Sequence, residues 1–318
     1  MSEKKKGDVS IANVLAIIGL AGLGVITFLG EMLKSTDGRP TRAIIFAVVY
    51  VGLLALFLIF SIKAKGAADN PDKWRYAEWF CIAAYVAVAI LGSSPFHHFF
   101  SVVSQKQELQ EMANDQVRMV EDLYTSYNTQ CDNYLKSAQA RLRLYQDNPQ
   151  RNNTKDRLSE YVEKHFADSS KWLVNSSENV KVNKEDVIKK IGNRIKKWNY
   201  MQLSSLASDI DGLVNDSRSD LEDRIDWFKR EYELIPVIGI PAEDGKYTYK
   251  GLAEFDLGPE LSGEMVSKLS SDSGKSVLGW IVFALLHLIV LFNYLVAPRT
   301  YIVGPGRRSE DQSGGASL

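Results

Sequence analysis

His287 lies near the middle of the apolar stretch 277–297 (VLGWIVFALLHLIVLFNYLVA) of this 318-residue chain. Burying an imidazolium in such surroundings is costly, so the ring is expected to be neutral and hydrogen-bonded to another helix. Two roles suit a histidine in that position: a polar crosslink between helices, or a station on an ion, proton or ligand pathway. Asn293, six residues on, is a second polar group in the same stretch, and Asn13 and Glu31 are candidate partners. His97 and His98 are adjacent, so on a helix they point about 100° apart and do not share a metal. They read as histidines at the end of an apolar run, with pH sensing as the alternative.

Other motifs are incomplete. Gly274-Lys275-Ser276 copies the end of a phosphate-binding loop, but Leu269 stands where that loop needs its first glycine, and no strand precedes it. Asp209, Asp211 and Gly212 echo part of a calcium loop without its third acidic position or terminal glutamate, and are expected to be solvated carboxylates. Asn152, Asn175 and Asn215 open Asn-x-Ser/Thr triplets, which matter only in a eukaryotic secretory setting. The chain has no G-x-S-x-G, no H-E-x-x-H and no kinase set, so no enzyme, cofactor or metal centre is expected. Net charge is -1, which offers no basic field for nucleic acid. The two cysteines, Cys81 in an apolar run and Cys131 in a polar one, are not expected to pair.

These residues are positioned by an uneven chain whose mean hydropathy of -0.15 averages a very apolar part with a very polar one. About twenty apolar residues cross a hydrocarbon core of about 30 Å as a helix. Four runs qualify, at 11–33, 43–62, 77–95 and 277–297. The first follows a short basic segment, 1–10, and no A-x-A-like site follows it, so it reads as an uncleaved anchor. Its Ala12, Ala16, Gly19 and Gly22 form a small-residue stripe that lets another helix approach closely. The second span or a second copy of the chain is the expected partner. The third run begins after Lys73, Trp74 and Arg75, an interface anchor, and meets Gly92-Ser93-Ser94-Pro95.

Between the third and fourth runs the sequence is mostly polar and helical. Residues 96–147 carry neither glycine nor further proline after Pro95, and read as one helix. Val117, Val120, Tyr124, Tyr127, Cys131, Tyr134, Ala138 and Tyr145 follow alternating three- and four-residue steps, broken only at Arg141. That period builds a helix-on-helix seam. Asn183 with Asp186 resembles a helix start, and a second long pattern runs from there to about Leu234, with a break expected near Asn199. Two patterns of similar length imply an antiparallel, coiled-coil- or bundle-like pair over residues 96–235. Residues 236–276 read as a small β-hairpin around Asp244-Gly245 followed by a linker, and 298–318 as a disordered tail.

The expected fold is thus mostly α, with four transmembrane helices and a long helical soluble domain between the third and fourth. The basic flanks place both termini inside and the helical domain outside, with a bacterial inner membrane as the setting. Three functions suit this plan: a scaffold or interaction subunit of a multi-subunit envelope complex, a channel-forming or membrane-perturbing effector, and a ligand-sensing subunit that signals through a partner. The bilayer and other protein subunits are the expected partners.

Overall fold

A computed structural model describes residues 11–35, 39–67, 71–147, 181–231, 240–241, 247–248, 254–271 and 276–297. In chain order these form α1 (Ile11–Lys34), α2 (Pro40–Lys65), α3 (Pro71–Leu91), α4 (Ser93–Ser104), α5 (Lys106–Asp147) and α6 (Glu185–Lys197). A single 3-10 turn (Tyr200–Gln202) leads into α7 (Leu203–Glu231), followed by β1 (Ile240–Pro241), β2 (Tyr247–Thr248), α8 (Met265–Ser270) and α9 (Val277–Val296). The strands pair antiparallel with Ile240 opposite Thr248. Asp244 and Gly245, expected to turn between them, lie outside the described residues, as do residues 298–318 and the side chain of Tyr145.

Four helices are long and apolar enough to cross a membrane: Ile11–Lys34, Pro40–Lys65, Lys73–Leu91 and Val277–Val296. No more than 28% of any of their apolar windows is buried inside the chain, which leaves most of that surface to hydrocarbon. Their ends are chemically marked. Pro40 occupies the first turn of α2, where a missing N–H costs nothing, and Lys63 and Lys65 sit in its last turn, complementing the helix dipole. Ser276 caps α9 by accepting from the Gly279 N–H. The third run does not continue to residue 95. It stops at Gly92, where an added methyl would lie 2.1 Å from the Tyr50 ring, and α4 starts afresh with Pro95 in its first turn.

The compact unit that holds these helices comprises Met1–Leu109, Asn199–Ser205 and Ser267–Leu318, so it extends past the boundary expected at Phe96. The reason is aromatic. Phe96 and Phe100 of α4 join Tyr50, Leu54, Tyr85, Phe283 and Val290 in one core cluster. Within this unit α1 packs against α2, α4 and α9, and α2 against α3. Gly19 and Gly22 of the small-residue stripe of α1 face α9. An added methyl at Gly19 would meet Val290 Cγ2 at 2.7 Å, and one at Gly22 would meet Leu286 Cδ2 at 3.3 Å. The turn at 199–205 also belongs here, with the Ser204 hydroxyl donating to the Met32 carbonyl near the C-terminus of α1.

The other unit comprises Gln110–Trp198 and Leu206–Val266. Two expectations for the helical segment are corrected. The helix expected to run unbroken over 96–147 is interrupted at Gln105, whose backbone relaxes to φ -99°, ψ 11°. The Ser104 hydroxyl donates to the Ser101 carbonyl there, competing with the helix ladder without any glycine or proline. The expected antiparallel pair is also replaced. Lys184 lies against Asp220 and Arg194 against Asp209, so α6 runs antiparallel to α7. Tyr124 meets Ser217 and Tyr134 meets Phe228, so α5 and α7 run parallel. The second long pattern is two helices folded back on each other at Trp198, the one non-glycine residue with positive φ (44°) among the described residues.

Helix α5 buries more than a single stripe. Val117, Val120, Tyr124, Tyr127, Cys131, Tyr134 and Ala138 are buried, and so are Leu109, Ala113, Gln116, Leu123, Leu135 and the off-register Arg141. A further strip, residues 254–264, lies along α5 and α7. The Gln130 side chain both donates to the Asp256 carbonyl and accepts from its N–H at 2.7 Å, and Phe255 packs against Tyr127, Tyr134 and Phe228.

Candidate functional site

Three antiparallel or parallel spans converge on His287. The Tyr85 hydroxyl of α3 lies 2.8 Å from Nδ1, and the Tyr50 hydroxyl of α2 lies 3.4 Å from Nε2. The Phe283 ring, one turn earlier in α9, sits 4.3 Å from the imidazole centroid, and Tyr85 presents its ring edge-on at 5.6 Å. A neutral imidazole has one donor and one acceptor nitrogen, and a tyrosine hydroxyl can serve either. Both ring nitrogens therefore face matched groups on other helices, which suits a buried polar crosslink. Of the two candidate partners for these polar groups, Glu31 lies elsewhere, with Arg42, whereas Asn13 meets Asn293.

In that pair Asn13 Oδ1 accepts from Asn293 Nδ2 at 2.6 Å and ties α1 to α9. Beside this pair, Lys65 of α2 donates to the Tyr294 and Leu295 carbonyls at 2.5 and 3.3 Å. Those carbonyls belong to the last turn of α9, which has no intrahelical donors left for them, so the ammonium caps a helix C-terminus. Lys65 also lies 4.6 Å above the Tyr294 ring, whose hydroxyl donates to the buried Glu78 of α3. At the other end of the same helices Arg42 Nε approaches Glu31 Oε1 at 3.0 Å. Both ends and the middle of the bundle are thus cross-tied by polar groups.

His97 and His98 are buried, and His97 stacks on Trp280 with ring centroids 4.1 Å apart. Asp209 and Asp211 are not simply solvated: Asp209 pairs with Arg194, and Asp211 accepts from the Met265 and Val266 N–H groups at 2.8 Å, capping α8. Asn215 accepts from the Gly263 N–H. Asn152, Asn175, Gly274 and Lys275 lie outside the described residues. Among the described residues no three His, Cys, Asp or Glu side chains group as metal ligands.

The helical unit holds a cleft of about 460 Å³ between α5 and the start of α6, lined by Glu121, Tyr124, Asn128, Lys184, Glu185 and Ile188 among others. Asn128 fixes one wall by donating to the Val182 carbonyl and accepting from its N–H, both at 3.0 Å. Elsewhere on α5, burial pushes the Cys131 thiol up to about 11, and Tyr127 likewise ionises above its ordinary range through burial.

Sequence reasoning missed Tyr50, Tyr85, Lys65 and Glu78. A signal existed for the tyrosines, because a buried phenol hydroxyl needs a partner and few polar groups share these spans. Comparison with known proteins adds nothing further: no family model, no curated protein and no solved structure matches the chain.

Proposed function

We propose that the chain is an integral membrane, non-enzymatic interaction subunit, in which four spans anchor a helical unit that contacts other proteins of an envelope complex of the secretion or transport type. In this reading a bacterial inner membrane holds the spans, both termini lie inside, and the helical unit lies outside. The observation that supports it is the pairing of polar groups across the bundle. His287, Asn293, Lys65 and Glu78 each engage a group on another helix, as a rigid mount requires and a conduction path does not. Mild-detergent purification of the full chain from its native membrane is expected to recover stoichiometric partner subunits. A lone monomer would overturn the proposal. A map of introduced cysteines with an impermeant reagent tests the sidedness, and labelling of residues 104–276 from inside reverses it.

A second reading, a ligand-sensing subunit that signals through a partner, is favoured by the cleft beside Tyr124 and Asn128. It predicts small-molecule stabilisation of the chain that Asn128→Ala abolishes, and a screen without any stabilising compound counts against it.

A further inference from the structure

A groove on α2 has the polarity gradient of a phospholipid. It has a volume of about 520 Å³ and is lined by Arg39, Thr41, Arg42, Ile45, Phe46 and Val49. The polar members stand together at one end and the apolar members follow along the next two turns. From Arg39 to Val49 the helix rises about 15 Å, which takes the groove from the end of a membrane-length helix well into its apolar part. Ile45 and Val49 are more than half exposed, so among the described residues this wall is largely open. The first turn of α2 carries no acidic side chain. The Arg42 side chain is 83% exposed although its Nε pairs with Glu31, and a guanidinium has five N–H donors in total, so one ion pair does not exhaust it.

We propose that this groove binds one anionic glycerophospholipid, its phosphate held by Arg39, Arg42 and the Thr41 hydroxyl, and the upper part of one acyl chain laid over Ile45, Phe46 and Val49. Basic residues at a membrane boundary attract anionic headgroups, and the apolar floor below distinguishes a lipid from a soluble anion. The inference rests on the reading that α2 spans a bilayer, which retention of the chain in carbonate-washed membranes tests separately. Release of the chain there removes the membrane reading; a failure of the lipid experiment below with the chain retained removes only this site.

The test is a titration of the full chain, purified in a neutral detergent, with phosphatidylglycerol or phosphatidylcholine of identical chains, read by native mass spectrometry and by melting temperature. Phosphatidylglycerol is expected to bind more tightly and to raise the melting temperature, and inorganic phosphate alone to do neither. Arg39→Gln is expected to weaken phosphatidylglycerol binding about fivefold while leaving phosphatidylcholine unchanged. Val49→Trp, which fills the exposed groove without touching the Glu31 pair, is expected to displace the lipid from a chain that melts as before. Equal binding of the two lipids, or no loss in Arg39→Gln, or no loss in Val49→Trp, overturns the proposal, as does a full effect from phosphate alone.

Discussion

In the unit of apolar helices, a methyl group added at Gly30 would lie 1.8 Å from the Pro95 carbonyl oxygen, and one at Gly92 would lie 2.1 Å from the Tyr50 ring. In the helical unit, the same methyl at Gly192 or Gly212 meets nothing within 4 Å. The contrast reflects what holds each unit together. Helices long and apolar enough to cross a membrane gain nothing hydrophobic by pressing together in hydrocarbon, so close backbone approach and matched polar groups are what suits them. The helical unit closes around buried tyrosines, leucines and Phe228, as burial from water dictates. Gly30 and Gly92 are contacts in the first unit and Gly192 and Gly212 are weak links in the second, while Gly52 of α2 is open and a methyl at Gly263, outside the helices, would meet Asp211 Cα at 2.6 Å.

The largest test of this contrast is Gly30→Ala. Its neighbour is a backbone carbonyl, which cannot swing aside, so α1 and α4 must separate. A loss of about 3 kcal/mol, the upper end of the usual cost of overpacking, is expected, read as reduced recovery of a folded chain in mild detergent. Gly52→Ala, in α2 with nothing within 4 Å, is the matched control and is expected to fold. Comparable behaviour of the two variants would break the comparison.

The helical unit has its own largest effect, and it depends on pH. Burial raises the Cys131 thiol from 9.0 to about 11, so the folded chain keeps its proton over a range in which the unfolded chain loses it. The unfolded state binds fewer protons there, and stability falls as pH rises. The contribution is fully present below pH 9, declines from about 9 to about 11, and amounts to about 2–3 kcal/mol over that window. Urea midpoints of the full chain at pH 8 and pH 10, compared with Cys131→Ala, check it. The alanine variant is expected to lack the part of the slope due to this thiol, and an identical slope in both would contradict the burial argument.

Smaller again is Tyr85→Phe, which removes the hydroxyl 2.8 Å from His287 Nδ1. Hydrogen bonds between membrane helices are modest because the separated helices also find partners, so about 1 kcal/mol is expected. Tyr50→Phe, at 3.4 Å, is expected to cost less, and either change is expected to matter little once His287→Leu is present. Additive losses in that double-mutant cycle would mean that the three groups do not act together.

What could be read from sequence follows the range of the signal. Hydropathy is local, and the four apolar helices lie where it placed them, with ends shifted by Pro40, Lys65 and Gly92. The stripe of Ala12, Ala16, Gly19 and Gly22 was also legible, but not that Leu286 and Val290 of α9 would fill it. Partner choice depends on how four spans sort in three dimensions, and one apolar surface looks like another. The reversal at Trp198 was hidden for a different reason. Ile188, Ile191, Ile195 and Trp198 keep helical spacing straight through the turn, and a left-handed residue is usually glycine or asparagine, not tryptophan. A break near Asn199 was expected, but without a change of direction residues 184–234 gave an antiparallel pair; folded back at Trp198, they give α6 and α7, and α7 lies parallel to α5. The break at Gln105 had no glycine or proline to announce it. His287 could be recognised as a buried polar group, whereas Tyr50 and Tyr85 were concealed by their apolar rings.

The smallest effect has the opposite sign. Gly192 stands within α6 and Gly212 within α7, both away from helix ends, and a methyl at either meets open space. Glycine in a helix interior loses more backbone freedom on folding than alanine does, so Gly192→Ala and Gly212→Ala are each expected to stabilise the unit by about 0.5–1 kcal/mol. The two sites lie on different helices, so their effects are expected to add. A shift of the urea midpoint of the full chain to higher concentration, with unchanged slope, checks this. Should either substitution destabilise, that glycine is held by a contact, and the division between glycines that pack and glycines that only loosen a helix fails at that position.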